Sequence, residues 1–206
     1  VEYLHEQAGF DVLVWESGLF DCELMNQELA TDRDIRKVAK TGVFPHWSEA
    51  SESQPVFAYA RGTLKGKRPL VMAGFDIQGS GRGYDECFPT FLSWLSDPRV
   101  IDQQLETEVK ESLAEVVKDP SVAVSWSKMR RCAVPLYSAL LKNETLLKQS
   151  WGARDYSFRR QCLKSAVAYS KMMDLYDEAQ LKQDQSLMIQ SYNLRESANA
   201  ENLLWL

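Results

Sequence analysis

Gly9-Phe10-Asp11-Val12-Leu13-Val14-Trp15-Glu16-Ser17-Gly18 is the stretch whose reading decides the fold. From Phe10 to Trp15 it is strand-sized, rich in β-branched and aromatic residues, and bounded by glycine on both sides. A strand that is apolar on both faces suits the middle of a covered, largely parallel sheet. Just before it, residues 1–8 read as the end of a helix that Gly9 closes. Helix, glycine and buried strand make half of an α/β unit.

Working outward, Leu19 to Ala30 reads as the next helix, and Thr31, Asp32 and Asp34 signal the start of another. Val43-Phe44-Pro45-His46-Trp47 is an aromatic connection broken by proline. Ser48 is expected to cap a helix running to about Gly62, with Glu49 and Glu52 early, where the helix dipole favours acids. Leu70-Val71-Met72-Ala73-Gly74-Phe75 is a second strand-like run. After Gly79-Ser80-Gly81-Arg82-Gly83 the character changes to helical spacing. Leu105, Val109, Leu113 and Val116 form one apolar stripe, and Phe158, Cys162, Ala166, Tyr169 and Met173 another. Pro98, Pro120 and the break at Ser150-Trp151-Gly152 divide this region into three or four helices, and Pro135 is expected to kink one. The fold class is therefore α/β: a partial α/β core with a small α+β piece and a helical insertion, helix-rich overall. The expected pieces are 1–34 in the core, 35–84 as the small α+β part, 85–190 as the helical domain and 191–206 returning to the core.

The chain has 206 residues, 26% charged and 45% hydrophobic, which excludes wholesale disorder, a collagen repeat and a disulfide scaffold. No window approaches the length of apolar sequence that a membrane-spanning helix needs, so no membrane partner is expected. The net charge of −5 hides a basic stretch from Ser121 to Lys171, which holds ten Lys or Arg against Glu144 and Asp155. Acidic segments flank it on both sides. Charge complementarity between neighbouring helices is the expected reading, an anionic ligand the alternative, and nucleic acid is not an expected partner. Cys22, Cys87, Cys132 and Cys162 lie far apart, without a C-x-x-C pair, so no zinc site is expected. Buried, reduced thiols in a cytoplasmic protein are the default for such a set.

Two acids close the two strands, Glu16 after Trp15 and Asp76 after Phe75. In open α/β sheets ligands sit beyond the carboxyl ends of strands, so the two would share a crevice if those strands are neighbours. Gly79-Ser80-Gly81-Arg82-Gly83 lacks the Gly-Lys-Ser/Thr ending of a phosphate loop and reads as an ordinary flexible loop. Arg195, Asn199 and Asn202 make a polar stripe on a helix with apolar neighbours, which suggests a buried polar network or a site wall. His5 is expected to be exposed on the first helix, and His46 to pack in its aromatic turn. No serine elbow and no Cys/His pair completes a catalytic set.

Four segments together resemble the erythromycin esterase family: residues 9–18, Val43-Phe44-Pro45-His46-Trp47-Ser48, Ala73-Gly74-Phe75-Asp76-Ile77-Gln78, and Arg195 through Leu206. Their order and approximate spacing match that family across nearly the whole chain. The resemblance implies an α/β core with a smaller α+β piece and a helical domain. It also implies a hydrolase that opens a carboxylic ester or macrolide lactone by adding water, although other members are tied to exopolysaccharide synthesis by name only. Glu16 matches the family's strand-end glutamate, which would hold or polarise the catalytic histidine and water. Asp76 and Gln78 match a motif that helps build the cleft. Arg195 and Asn202 match its Arg-Asp-x-x-Met-Ala-x-Asn helix and would orient polar groups or substrate. Glu196 replaces the aspartate of that motif, and Asn199 stands where Met is usual.

The family's Gly-Glu…His segment would lie before the residues that open this sequence, and its later His-bearing strand after those that close it. Neither His5 nor His46 aligns with either histidine. The resemblance therefore implies an internal fragment that lacks the general base and hydrolyses nothing by itself. No metal or cofactor follows from the residues. The alternatives are a non-catalytic helical module for an anionic partner, or a family member that has lost its chemistry.

Overall fold

The computed structural model describes residues 1–81, 83–118 and 122–206, with side chains at all of these except 83–85, 115–118 and 122–129. The break expected at Pro120, the side chain of Val116 in the first stripe, and Arg82 in the glycine-rich loop lie outside the described residues. The chain divides into a sheet-bearing unit, residues 1–85 with 199–206, and a helical unit, residues 86–198.

In the sheet-bearing unit, helix α1 (Glu2–Glu6) precedes strand β1 (Val12–Gly18). Four helices follow, α2 (Leu19–Leu29), α3 (Ile35–Gly42), α4 (Pro45–Ser48) and α5 (Gln54–Thr63), before strand β2 (Val71–Asp76). The two strands form a two-stranded parallel sheet. Val12 lies opposite Val71 and Trp15 opposite Gly74; the register slips after Trp15, so that Gly18 faces Asp76. The strands expected in separate pieces, 1–34 and 35–84, thus pair in one sheet.

Side chains alternate along a strand, so Leu13, Trp15 and Met72 share a face. That face packs on Cys22, Met25 and Leu29 of α2, Val38 and Ala39 of α3, and Phe57 and Ala60 of α5. Trp15 stacks on Phe57 with ring centroids 5.4 Å apart. Asp34 caps α3 by accepting from the N–H groups of Arg36 and Lys37, as the start signal at Thr31, Asp32 and Asp34 predicts. On the other face Ala73 is buried while Val12, Val14 and Val71 stay 44%, 38% and 42% exposed, so the expected cover is complete on one side and partial on the other.

The helix expected from Ser48 begins later. Pro45 starts the separate turn α4, which Ser48 ends, and α5 begins at Gln54 with Pro55 in its first turn. Proline is at home in a first helical turn, so Pro45, after the extended Phe44, starts α4 and Pro55 supports a separate start for α5 at Gln54. The side-chain amide of Gln54 donates to Ser48 O at 2.7 Å and fixes the join.

The helical unit holds most of α6 (Gly83–Leu95), then α7 (Gln103–Lys118), α8 (Val122–Lys142), α9 (Glu144–Trp151), α10 (Ala153–Lys182) and most of α11 (Gln185–Trp205). Gly152, at φ +83°, separates α9 from α10 where the break was expected. Pro135 lies inside α8. Helix α10 packs against α8 and α9, and α7 against α8. Val109 of α7 is buried, as the first stripe predicts. On α10 the second stripe is only part of what is covered. Cys162 and Tyr169 are buried, and so are Gln161, Leu163, Ser165 and Met172 on other sides of the helix. Helix α10 is therefore enclosed on more than one side. No helix among the described residues is long and apolar enough to cross a membrane.

Candidate active site at the carboxyl ends of the strands

Parallel pairing puts Glu16 and Asp76 at the same end of one sheet, where α/β proteins hold their ligands. Around them the backbone is drawn into close contact. A Cβ on Gly74 would overlap the carbonyl oxygens of Ser17 and Gly18, and one on Gly81 would overlap Thr41 O. Only glycine permits these approaches.

Side chains then lock the segments together. The Gly18 N–H donates to Ser80 Oγ at 2.9 Å, and the Ser80 hydroxyl donates to Gly42 O at 2.7 Å. The buried Asp21 carboxylate accepts from Gly81 N–H at 2.8 Å. Ser17 Oγ accepts from Phe44 N–H at 3.3 Å. The glycine-rich loop expected to be flexible is thus strapped down at residues 80 and 81, and a carboxylate of the protein occupies its amide.

After β2 the chain is held in the same way. Asp76 is buried, and its Oδ1 accepts from Gln78 N–H at 3.0 Å. Asn199 Oδ1 accepts from Ile77 N–H at 3.0 Å, and Asn202 Nδ2 donates to Phe75 O at 2.8 Å. Both asparagines are buried on the last turns of α11. A buried peptide group left unmatched costs roughly 1–3 kcal/mol, so these two amides fix the turn that carries Gln78. The network reading of the polar stripe holds for Asn199 and Asn202. Arg195 belongs to the helical unit, half-buried, with its guanidinium 3.6 Å from the Glu196 carboxylate.

Glu16, Asp76, Gln78 and Asn202 therefore come together in one unit, with Asp76 and Asn202 buried and Glu16 exposed. Sequence reasoning missed Asp21 and Ser80, because their role exists only once the loops meet. Asn199 stood in the sequence as a departure from a motif, yet it binds a backbone N–H as Asn202 binds a carbonyl.

His5 departs from its expected exposure, whereas His46 keeps to its aromatic turn. His5 is 6% exposed rather than open to solvent. The turn at Gly9 lays α1 against α5, so that His5 Nδ1 lies 2.8 Å from the Tyr59 hydroxyl and Nε2 3.6 Å from Asp11. Asp11 and its partner Arg68, 2.6 Å away, stand at the amino ends of the strands, opposite to Glu16. His46 is exposed, though its ring stacks on Phe44 at 5.6 Å and tilts against Trp47 at 4.9 Å. Among the described residues no group of three or more His, Cys, Asp or Glu is arranged to hold a metal ion.

In the helical unit several bases of the basic stretch are matched internally. Arg130 pairs with Asp174 at 2.7 Å and Lys148 with Glu144 at 2.5 Å. Arg159 lies 4.2 Å above the Trp151 ring and 5.1 Å from that of Trp94. A cavity of about 1040 Å³ bounded by α7, α8 and α10 is lined by both signs of charge, with Arg131 and Lys171 beside Glu108 and Glu111.

No family model matches the chain. A protein of Bacillus subtilis (strain 168) named "Putative hydrolase YbfO" is 23% identical over 144 residues, which is 69% of this chain and 31% of that protein. A Bacillus cereus protein of known crystal structure superposes on 99% of this chain and 48% of its own, with a TM-score of 0.69 and 17% identity. The chain thus spans about a third of one relative and about half of the other, and the structural likeness is one of fold.

Proposed function

We propose that this chain is the part of a hydrolase that supplies the catalytic carboxylate, and that the whole protein cleaves a carboxylic ester or lactone as erythromycin esterases do. The observation that carries this reading is Glu16, an exposed carboxylate at the carboxyl end of β1 on a rim held rigid by buried polar side chains. The name of the Bacillus subtilis relative agrees with a hydrolase.

In the proposed reaction the Glu16 carboxylate accepts a hydrogen bond from one ring nitrogen of an imidazole supplied outside these 206 residues. That bond fixes the tautomer whose other nitrogen takes a proton from water. The hydroxide adds to the ester carbonyl carbon, and the tetrahedral intermediate expels the alkoxide. The imidazolium returns its proton to the alkoxide, so the products are an acid and an alcohol. Gln78 and Asn202 shape the cleft wall. The competing reading, an anion-binding helical module, is weakened by the internal partners of Arg130, Lys148 and Arg159.

The test is hydrolysis of a panel of aryl esters and macrocyclic lactones by the full-length encoded protein. Glu16→Gln should lower kcat/KM by roughly a hundredfold or more, with the fold intact by circular dichroism. The 206-residue chain alone should hydrolyse none of the panel. Unchanged turnover by the variant removes Glu16 from the chemistry.

A further inference from the structure

The two strands leave their outer edges in different states. Val71 N–H donates to Asp11 O at 2.8 Å, so the alternation of the ladder turns the peptide groups of Leu13 toward β2 and those of Val12 and Val14 outward. On β2 the outward peptide groups are those of Met72 and Gly74. Asn26 of α2 takes both groups of Met72, donating to its carbonyl at 2.7 Å and accepting from its N–H at 3.2 Å. A side-chain amide stands there in place of a third strand. Beside β1 no strand pairs on the outer side among the described residues.

β1 also lacks what protects a true edge. Between Val12 and Trp15 it has no charge and no proline, and the register slip comes only after Trp15. Its Val-Leu-Val-Trp run has the composition of a strand inside a parallel sheet. Two paired strands alone are marginal in water.

Handedness says where the next strand comes from. The connection from β1 to β2 places α2, α3 and α5 on the Trp15 face. A strand on the far side of β1 that leads into β1 crosses the sheet in the same direction. A right-handed crossover then puts its helix on that same face. Helix α1, which runs into β1, lies there, with His5 buried against Tyr59 of α5. The two relatives are longer than this chain and have the length to hold such a strand.

We infer that the outer edge of β1 is a pairing site for a further strand of the same polypeptide, one that runs parallel to β1 and enters it through a crossover whose last turn is α1. The inference stands on backbone geometry and is independent of any hydrolytic activity.

The test is residue-resolved amide hydrogen exchange by NMR on the full-length encoded protein and on the 206-residue chain, with the inward amide of Leu13 as control. The amides of Val12 and Val14 should exchange at least about a hundredfold more slowly in the full-length protein. Backbone proton contacts from both residues should lead to a segment that precedes α1. Fast exchange of the two amides in the full-length protein overturns the inference, as do contacts leading to residues after α11. Protection already present in the 206-residue chain that falls on dilution also overturns it, since a second copy then occupies the edge. Should Leu13 be unprotected in the shorter chain, the full-length contacts decide alone.

Discussion

Different kinds of contact hold the sheet-bearing unit and the helical unit, each within itself. In the first, backbone meets backbone at Gly74 and Gly81, and side chains such as Asn26, Ser80, Asp21, Asn199 and Asn202 reach across to peptide groups. In the second, side chains pack on side chains, with Leu136, Leu140 and Leu163 in the interior and Arg159 against two tryptophans, alongside bonds to backbone such as that from the Ser191 hydroxyl to Met172 O. Contacts to the backbone fix positions to within a bond length, whereas apolar packing tolerates exchange of one side chain for another of similar volume. A carboxylate that must meet a substrate atom is better placed on the first kind of framework.

The largest effect that would break this contrast is expected at Gly74. Gly74→Val sets a branched side chain against the Ser17 and Gly18 carbonyls, and should cost more than about 4 kcal/mol by chemical denaturation. Under the same conditions the amides around Leu136 and Leu163 should stay protected. If that variant unfolds both units together, their contacts do not separate as described. Asn202→Ala takes the donor from the half-buried Phe75 carbonyl and empties a buried side-chain position, and should cost roughly 1–3 kcal/mol in the same experiment.

In the helical unit a comparable change should be milder. Arg159→Gln removes the cation from the faces of Trp94 and Trp151, and a loss of roughly 0.5–2 kcal/mol is expected. A loss as large as that at Gly74 would erase the distinction.

The smallest effect is one of pH. Burial pushes the Cys132 thiol up to about 11 from an ordinary 9.0, against a weaker opposing hydrogen bond from Ser112. The folded chain favours the neutral thiol, so this contribution to stability is complete below the ordinary value and fades as pH climbs toward 11. Burial raises Cys22 in the same direction, with the charges of Asp21 and Glu23 adding to it. Alkylation of the folded chain should therefore begin at the partly exposed Cys87 and reach the buried Cys22 and Cys132 only later as pH rises. Rapid labelling of Cys132 at neutral pH would contradict its burial.

Local chemistry made some of this legible in the sequence. Val12 to Trp15 announces a strand by composition, Asp34 announces a cap, and the spacing of Asn199 and Asn202 marks one helix face. What escaped depends on residues far apart in the chain. The burial of His5 needs Tyr59, 54 residues away, and the strap on the glycine-rich loop needs Asp21, 60 residues away. The parallel pairing of β1 with β2 is equally hidden, because neither strand's pattern names its neighbour. The start of α5 was misplaced for a local reason, since Pro55 was a stronger start signal than Ser48.

The amide of Asn26 on Met72 has one more consequence, for self-association. A fibre grows only if each unit offers two sticky sides. In the 206-residue chain by itself one side is stoppered by the protein's own helix and the other has no strand beside it among the described residues, so each copy is monovalent. Copies meeting through their sheets would stop at a pair. Asn26→Ala would open the second valence, and with it the path from pairs to a growing chain.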